Sequence, residues 1–135
     1  PADAVRVLRF VYELDPAFEE AVHNLATALI FAGQESEAEA LLERHFGTPI
    51  VADQRYAQAY ARRGNFAKVA RIWELFVMRE PSNYSFHVSL GASYARIGRT
   101  DDAIREIKEA IRLEPRFKEQ GEAFIRDLRA GRVQF

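Results

Sequence analysis

The residues best suited to proton transfer near neutral pH in this 135-residue chain are its three histidines, His23, His45 and His87. None stands in a catalytic pattern. The sequence has no His-Glu-x-x-His, no Gly-x-Ser-x-Gly and no phosphate-binding glycine loop. It has no cysteine either, which removes disulfides and thiolate metal sites. Asp101 and Asp102 follow Thr100 at what reads as a helix start, where acids complement the helix dipole and help cap it, so the pair is assigned to structure and to no metal. The expectation is a non-catalytic chain with no cofactor.

Arginine offers a different chemistry, recognition. Residues 1–49 carry nine acids against three bases, while residues 50–135 carry sixteen bases against eleven acids, so a net charge of −1 hides an electrical polarity along the chain. The basic half is rich in arginine: Arg55, Arg62, Arg63, Arg71, Arg79, Arg96, Arg99 and Arg105. A guanidinium presents a planar fork that meets a carboxylate at two points. Nucleic acid is not the expected partner, because the arginines are scattered and the sequence pI is 6.4. The aromatics Phe10, Phe18, Phe31, Phe46, Phe66, Tyr56, Tyr60, Tyr84 and Tyr94 recur at helical or longer fixed intervals, which assigns most of them to a core rather than to a base-stacking surface.

These side chains must be positioned by helices. Pro16, Pro49, Pro81 and Pro115 alternate with Gly33, Gly64 and Gly98 every 15–17 residues. A glycine supplies the left-handed residue that ends one helix, and a proline fits the first turn of the next. Apolar residues make up 48% and charged residues 29%, an ordinary globular balance, and no window is apolar enough to span a bilayer. The pattern therefore predicts short antiparallel helices around one continuous core.

The intervals Gly64 to Gly98 and Pro81 to Pro115 are both 34 residues. Within the later one stand Leu90, Gly91, Ala92, Ser93 and Tyr94, then Gly98, Ala103, Ile107, Ala110 and Pro115. That arrangement closely resembles the tetratricopeptide repeat family. One period earlier Tyr56, Ala57, Tyr60, Gly64, Phe66, Val69, Trp73, Phe76 and Pro81 repeat the residue types. Before them come Leu25, Ala26, Leu29, Gly33, Ala38 and Leu42. Ala26, Ala57, Gly91, Ala38 and Ala103 are small where the two helices of a hairpin must approach; Leu25, Leu29, Tyr60, Tyr94, Leu42, Trp73 and Ile107 build the shared core. Gly33 to Gly64 is 31 residues, so about three are missing near His45 to Pro49; a tight Phe46-Gly47-Thr48-Pro49 junction is expected, with Gly47 ending one helix and Thr48 capping the next.

The resemblance implies an all-α fold, a right-handed superhelical stack of antiparallel hairpins with about eight helices. Residues 1–16 would be the second helix of a truncated repeat, 17–48, 49–81 and 82–115 three full repeats, 116–130 a capping helix and 131–135 a tail. Ala4, Leu8, Val11 and Tyr12 match the offsets of Ala103, Ile107, Ala110 and Ile111, so a first helix is expected upstream of residue 1, and the bare edge would allow self-association through the uncapped amino-terminal helix. In the cap, Phe117, Phe124, Ile125 and Leu128 form an apolar stripe, with Glu119, Glu122, Arg126 and Arg129 facing away, Gly131 ending the helix, and the parent protein's end expected nearby.

In this family the first helices line a concave surface. The resemblance then places in the groove His23, Asn24, Thr27 and Phe31; Gln54, Arg55, Gln58 and Arg62; Ser85, Ser89 and Arg96; with Arg126 and Arg129 closing its far end. His45 and His87 fall at positions facing the packed interior or its rim. The implied function is a protein–protein interaction scaffold or adaptor. Its partner would be a protein or peptide segment that is acidic or bears a chain-terminal carboxylate, with no nucleic acid and no membrane insertion. The competing expectation is that these arginines pair internally with Asp53, Glu80 or Glu122. His23, Thr27, Arg55, Ser85 and Ser89 do not reproduce the lysine and asparagine clamp of the family's chaperone-binding members. The stretch from Phe117 to Gly131 also resembles repeat tails of bacterial membrane proteins of the O-antigen ligase type, which would make this segment a soluble tail serving assembly or substrate handling. The cytoplasm is slightly favoured, and an extracytoplasmic place follows if the segment hangs from a membrane protein.

Overall fold

Gly64 shows how the punctuation works in three dimensions. Its φ is +75°, a backbone conformation that L side chains rarely adopt, and it lets the Asn65 amide turn back to the Tyr60 carbonyl at 2.9 Å. The same return bond runs from Gln34 to Leu29 at 2.8 Å and from Arg99 to Tyr94 at 2.9 Å, after Gly33 and Gly98. Three helix ends are thus built alike because three glycines sit at equivalent places.

A computed structural model describes residues 2–133 and 135. Among them are eight α-helices: α1 Ala2–Leu14, α2 Glu19–Phe31, α3 Glu35–Phe46, α4 Gln54–Arg62, α5 Phe66–Arg79, α6 Tyr84–Arg96, α7 Thr100–Leu113 and α8 Lys118–Ala130. A single 3₁₀ turn, Pro115–Phe117, precedes α8, and no strand occurs among the described residues. No helix is long and apolar enough to cross a membrane. The expected all-helical hairpin architecture is present. The chain divides into two compact units, Pro1–Lys68 and Val69–Phe135, with the division inside α5.

In the first unit α2 packs against α1, α3 and α4. Val22, Leu25, Ala26, Leu29 and Ile30 of α2 are at most 1% exposed, with Ala38 and Leu42 of α3 and Tyr56, Ala59 and Tyr60 of α4. In the second unit α6 and α7 form the main hairpin and α8 lies on α7. Ala70, Leu90, Tyr94 and Ala103 share one core cluster, flanked by Trp73, Val77 and Leu128. Ile104, Ile107 and Ile125 form another, closed by Phe117, Phe124 and Leu128. The apolar stripe expected in α8 therefore faces the core, while Glu119, Glu122, Arg126 and Arg129 are exposed.

Gly91 is a close-approach site. A Cβ there would lie 2.9 Å from Ile107 Cδ1 and 3.3 Å from the Ala103 carbonyl oxygen, so any side chain at this position would force Ile107 or α7 to shift.

Three expectations need correction. Gly47, with φ +75°, does end α3, but Thr48 caps nothing: α4 starts at Gln54, and its cap is Asp53, whose side chain accepts from the Arg55 amide. The shortened repeat loses helix at the start of α4, which has 9 residues where α2 has 13, because residues 48–53 run as a loop rather than a tight junction. At α7 no side chain caps the first turn; Asp102 instead pairs with Arg99 and Arg105. Most of the aromatics assigned to a core are withdrawn from solvent, with Tyr56, Tyr60 and Tyr94 buried and Phe46 and Phe66 half-buried, while Phe10, Phe18, Phe31 and Tyr84 are exposed. In α1, Ala4 and Val11 are exposed while Val5 is buried and Leu8 and Tyr12 half-buried. Val7, Phe10, Val11 and Leu14 recur at helical spacing on the opposite, uncovered side of α1.

Candidate functional site

The two first-type helices of the first unit lie side by side and run the same way. Glu20 near the start of α2 pairs with Arg55 near the start of α4, and Phe31 at the end of α2 sits under Arg62 at the end of α4. Along this pair Asn24, Phe31, Gln54, Gln58 and Arg62 are exposed, and His23, Thr27 and Arg55 are half-buried.

Several candidate residues are already engaged. His23 Nδ1 shares a 2.6 Å hydrogen bond with the Tyr56 hydroxyl, and its ring stacks on Phe46 with centroids 5.0 Å apart. The Thr27 hydroxyl donates to the His23 carbonyl at 2.7 Å. Arg55 donates through Nη2 to Asp53 Oδ2 at 2.8 Å and through Nη1 to Glu20. The Arg55 hydrogen bond holds the Asp53 carboxyl below its ordinary range, and the Arg55 guanidinium is pushed upward chiefly by Asp53. Arg55 thus carries a charge that two carboxylates compensate. Pairing with Asp53 was foreseen; Glu20, 35 residues away, was not.

Arg62 differs. Its guanidinium carbon lies 5.9 Å from the centroid of the Phe31 ring, and it makes no ion pair among the described residues. The ring lies within cation–π reach of the head group, which pairs with no carboxylate among the described residues.

In the second unit, α6 presents Ser85 and Arg96 as exposed residues and Ser89 as half-buried. The Ser85 amide donates to Asn83 Oδ1 at 3.0 Å, which caps α6, and the Ser89 carbonyl accepts from the Ser93 hydroxyl at 2.8 Å. Arg96 stands over the Phe135 ring, 4.6 Å from its centroid. Arg126 and Arg129 lie in a groove between α7 and α8 with Lys108, Ile111, Glu122 and Ile125. Lys108 was missed in the sequence; the available signal was its place between Ile104 and Ile111, at the border of the apolar stripe of α7.

The other two histidines are engaged by neighbouring groups. His45 Nε2 shares a 2.7 Å hydrogen bond with the Tyr12 hydroxyl. His87 is 5% exposed, with Nδ1 at 2.8 Å from Glu106 and Nε2 at 2.7 Å from the Pro81 carbonyl, so both ring nitrogens are occupied.

A family model described as tetratricopeptide repeat matches residues 1–46, which cover α1 to α3. No curated protein matches the chain closely enough to count as a relative. Tetratricopeptide repeats generally act as protein–protein interaction scaffolds and are generally non-catalytic.

Proposed function

Proceeding from a tetratricopeptide-repeat match over residues 1–46, we propose that this chain is a non-catalytic interaction module that receives an acidic partner segment along the face of α2 and α4. The observation that carries this reading is the Phe31–Arg62 pair. An exposed aromatic ring and an uncompensated guanidinium sit together at the end of a polar row formed by Asn24 and Gln58. An arginine steadied on a ring loses less side-chain freedom when it grips a carboxylate, so more of the contact energy appears as affinity. Arg55 is assigned a different role, tying α4 to α2 through Glu20. Ser85, Ser89 and Arg96 present a comparable first-helix row on α6 in the second unit.

The test is fluorescence anisotropy with labelled glutamate- and aspartate-rich peptides, with a lysine-rich peptide as control. Binding to the acidic probes alone is expected, weakened about tenfold or more in Phe31→Ala/Arg62→Ala, as expected for loss of a charge-assisted contact. Circular dichroism of that double variant should be unchanged, since both side chains are exposed. Equal affinity of the parent and the double variant for the acidic probes would sink the proposal.

A further inference from the structure

Arg62 has a neighbour that pairs with no carboxylate either. Arg63 is the cap residue that ends α4, and it is exposed. Its Nη2 stands 2.9 Å from the point where a Cβ on Gly33 would lie, so the head group fills the space that a side chain in the turn after α2 would need. Arg62 reaches Phe31, the last residue of α2, with its guanidinium carbon 5.9 Å from the ring centroid. The two head groups therefore lie at one end of α2, each against a residue of its closing turn. Neither makes an ion pair among the described residues. The acids of α3 nearest that turn are committed elsewhere: Glu35 and Glu39 to Lys68, and Glu37 to Arg9 at 2.6 Å. Glu35 also accepts from Asn65 Nδ2 at 3.1 Å.

From this pair we infer that the end of α2 holds a phosphoryl group, carried on a serine or threonine of the partner segment. The inference deepens the reading of the α2–α4 face as an interaction surface and rests on it. One guanidinium fork satisfies a carboxylate at two points, so a glutamate held by Arg62 leaves Arg63 unmatched. A phosphorylated side chain brings about −1.5 to −2 charges at pH 7 and three strong acceptor oxygens. Two planar forks with two fixed positive charges match that demand in both charge and donor number. The ring of Phe31, 38% exposed, stands beside the charges and offers an apolar surface to the stem of the phosphorylated residue. Gly33 contributes by having no side chain, since any other residue there would displace the Arg63 head group.

The probes are fluorescein-labelled peptides Gly-Glu-Gly-Xaa-Gly-Asp-Gly with an amidated end, in which Xaa is phosphoserine, glutamate or serine, titrated against the full chain by anisotropy. The phosphoserine peptide should bind about 10-fold more tightly than the glutamate peptide, the scale of one added charge-assisted contact. Arg63→Ala should erase that difference and leave the affinity for the glutamate peptide unchanged, and Arg63→Lys, which keeps the charge without the fork, should restore only part of it. Lowering the pH from 7 to 5 should remove most of the phosphoserine advantage, because the second ionisation near pH 6 is lost while glutamates stay charged. Unlabelled phosphopeptide should displace the probe where an equal concentration of inorganic phosphate does not; equal displacement would overturn the assignment to a peptide. Arg63 is exposed, so its removal should not disturb folding, which circular dichroism checks. Equal affinity for the phosphoserine and glutamate peptides, or an advantage that survives Arg63→Ala, would overturn this inference and leave the acidic-segment reading in place. Failure of all three peptides to bind would overturn both.

Discussion

Replacing Gly91 by alanine sets two known effects against each other at one atom. Alanine in a helix interior is favoured over glycine by roughly 1 kcal/mol, so at an open position the change would stabilise the fold. Here the new methyl would stand 2.9 Å from Ile107 Cδ1, 3.1 Å from Ile107 Cγ1 and 3.3 Å from the Ala103 carbonyl oxygen. Ile107 is 1% exposed and cannot swing into solvent, and the carbonyl belongs to the backbone of α7. Overpacking of this kind costs about 1–3 kcal/mol. The net expectation is a loss of up to about 2 kcal/mol, or a fall in Tm of up to about 7 °C for a chain of this size. The assay is urea denaturation followed by far-UV circular dichroism, run on Gly91→Ala, on Ile107→Val and on both together. Ile107→Val alone should cost about 0.5–1.5 kcal/mol, because it removes a buried methyl. In the double variant that missing methyl is the space the alanine needs, so the two losses should fall short of additivity by about 1 kcal/mol. A Gly91→Ala protein more stable than the parent, or losses that add, would refute the idea that α6 and α7 approach too closely at Gly91 for an added methyl.

Three other outcomes follow from the same geometry. Burial, then the hydrogen bond to Glu74, pushes the Tyr94 hydroxyl up to about 12, and burial pushes Tyr56 and Tyr60 upward as well. The unfolded chain ionises these phenols near their ordinary value of 10, so the stability they contribute is whole below pH 10 and is lost as pH rises from there through about 12. The urea midpoint should drop across that window, and less steeply in Tyr94→Phe. Asp53→Ala removes both the cap of α4 and a carboxylate partner of Arg55, and a loss of about 1–2 kcal/mol is expected in the same urea assay. His87→Phe leaves Glu106 and the Pro81 carbonyl without their buried partner and should cost about 2–4 kcal/mol, read by calorimetry.

Much of the local architecture was legible because it depends on residues close in the chain. Gly33, Gly64 and Gly98 announce helix ends through a conformation only glycine adopts readily, and the structure builds the same return bond at each. Alanine and glycine at Ala26, Ala38, Gly91 and Ala103 announce close helix approach, and all four are buried. The start of α4 was not legible. A missing-residue count places the deletion near Pro49, but whether the chain shortens the loop or the helix depends on where Asp53 finds an amide to cap.

Charge was the least legible feature. The sequence shows an arginine excess without showing which arginines are already balanced. Arg55 is offset by Glu20, which lies 35 residues away and arrives only because α2 and α4 run side by side. Lys108 becomes a neighbour of Arg126 and Arg129 only when α8 folds onto α7. The amino-acid sequence by itself determined the helices, the ends marked by glycine and the small residues between them, since these follow from backbone freedom and side-chain size. Only the tertiary structure decided which cations kept an uncompensated charge, because a Coulomb interaction depends on distance in space and not on separation along the chain.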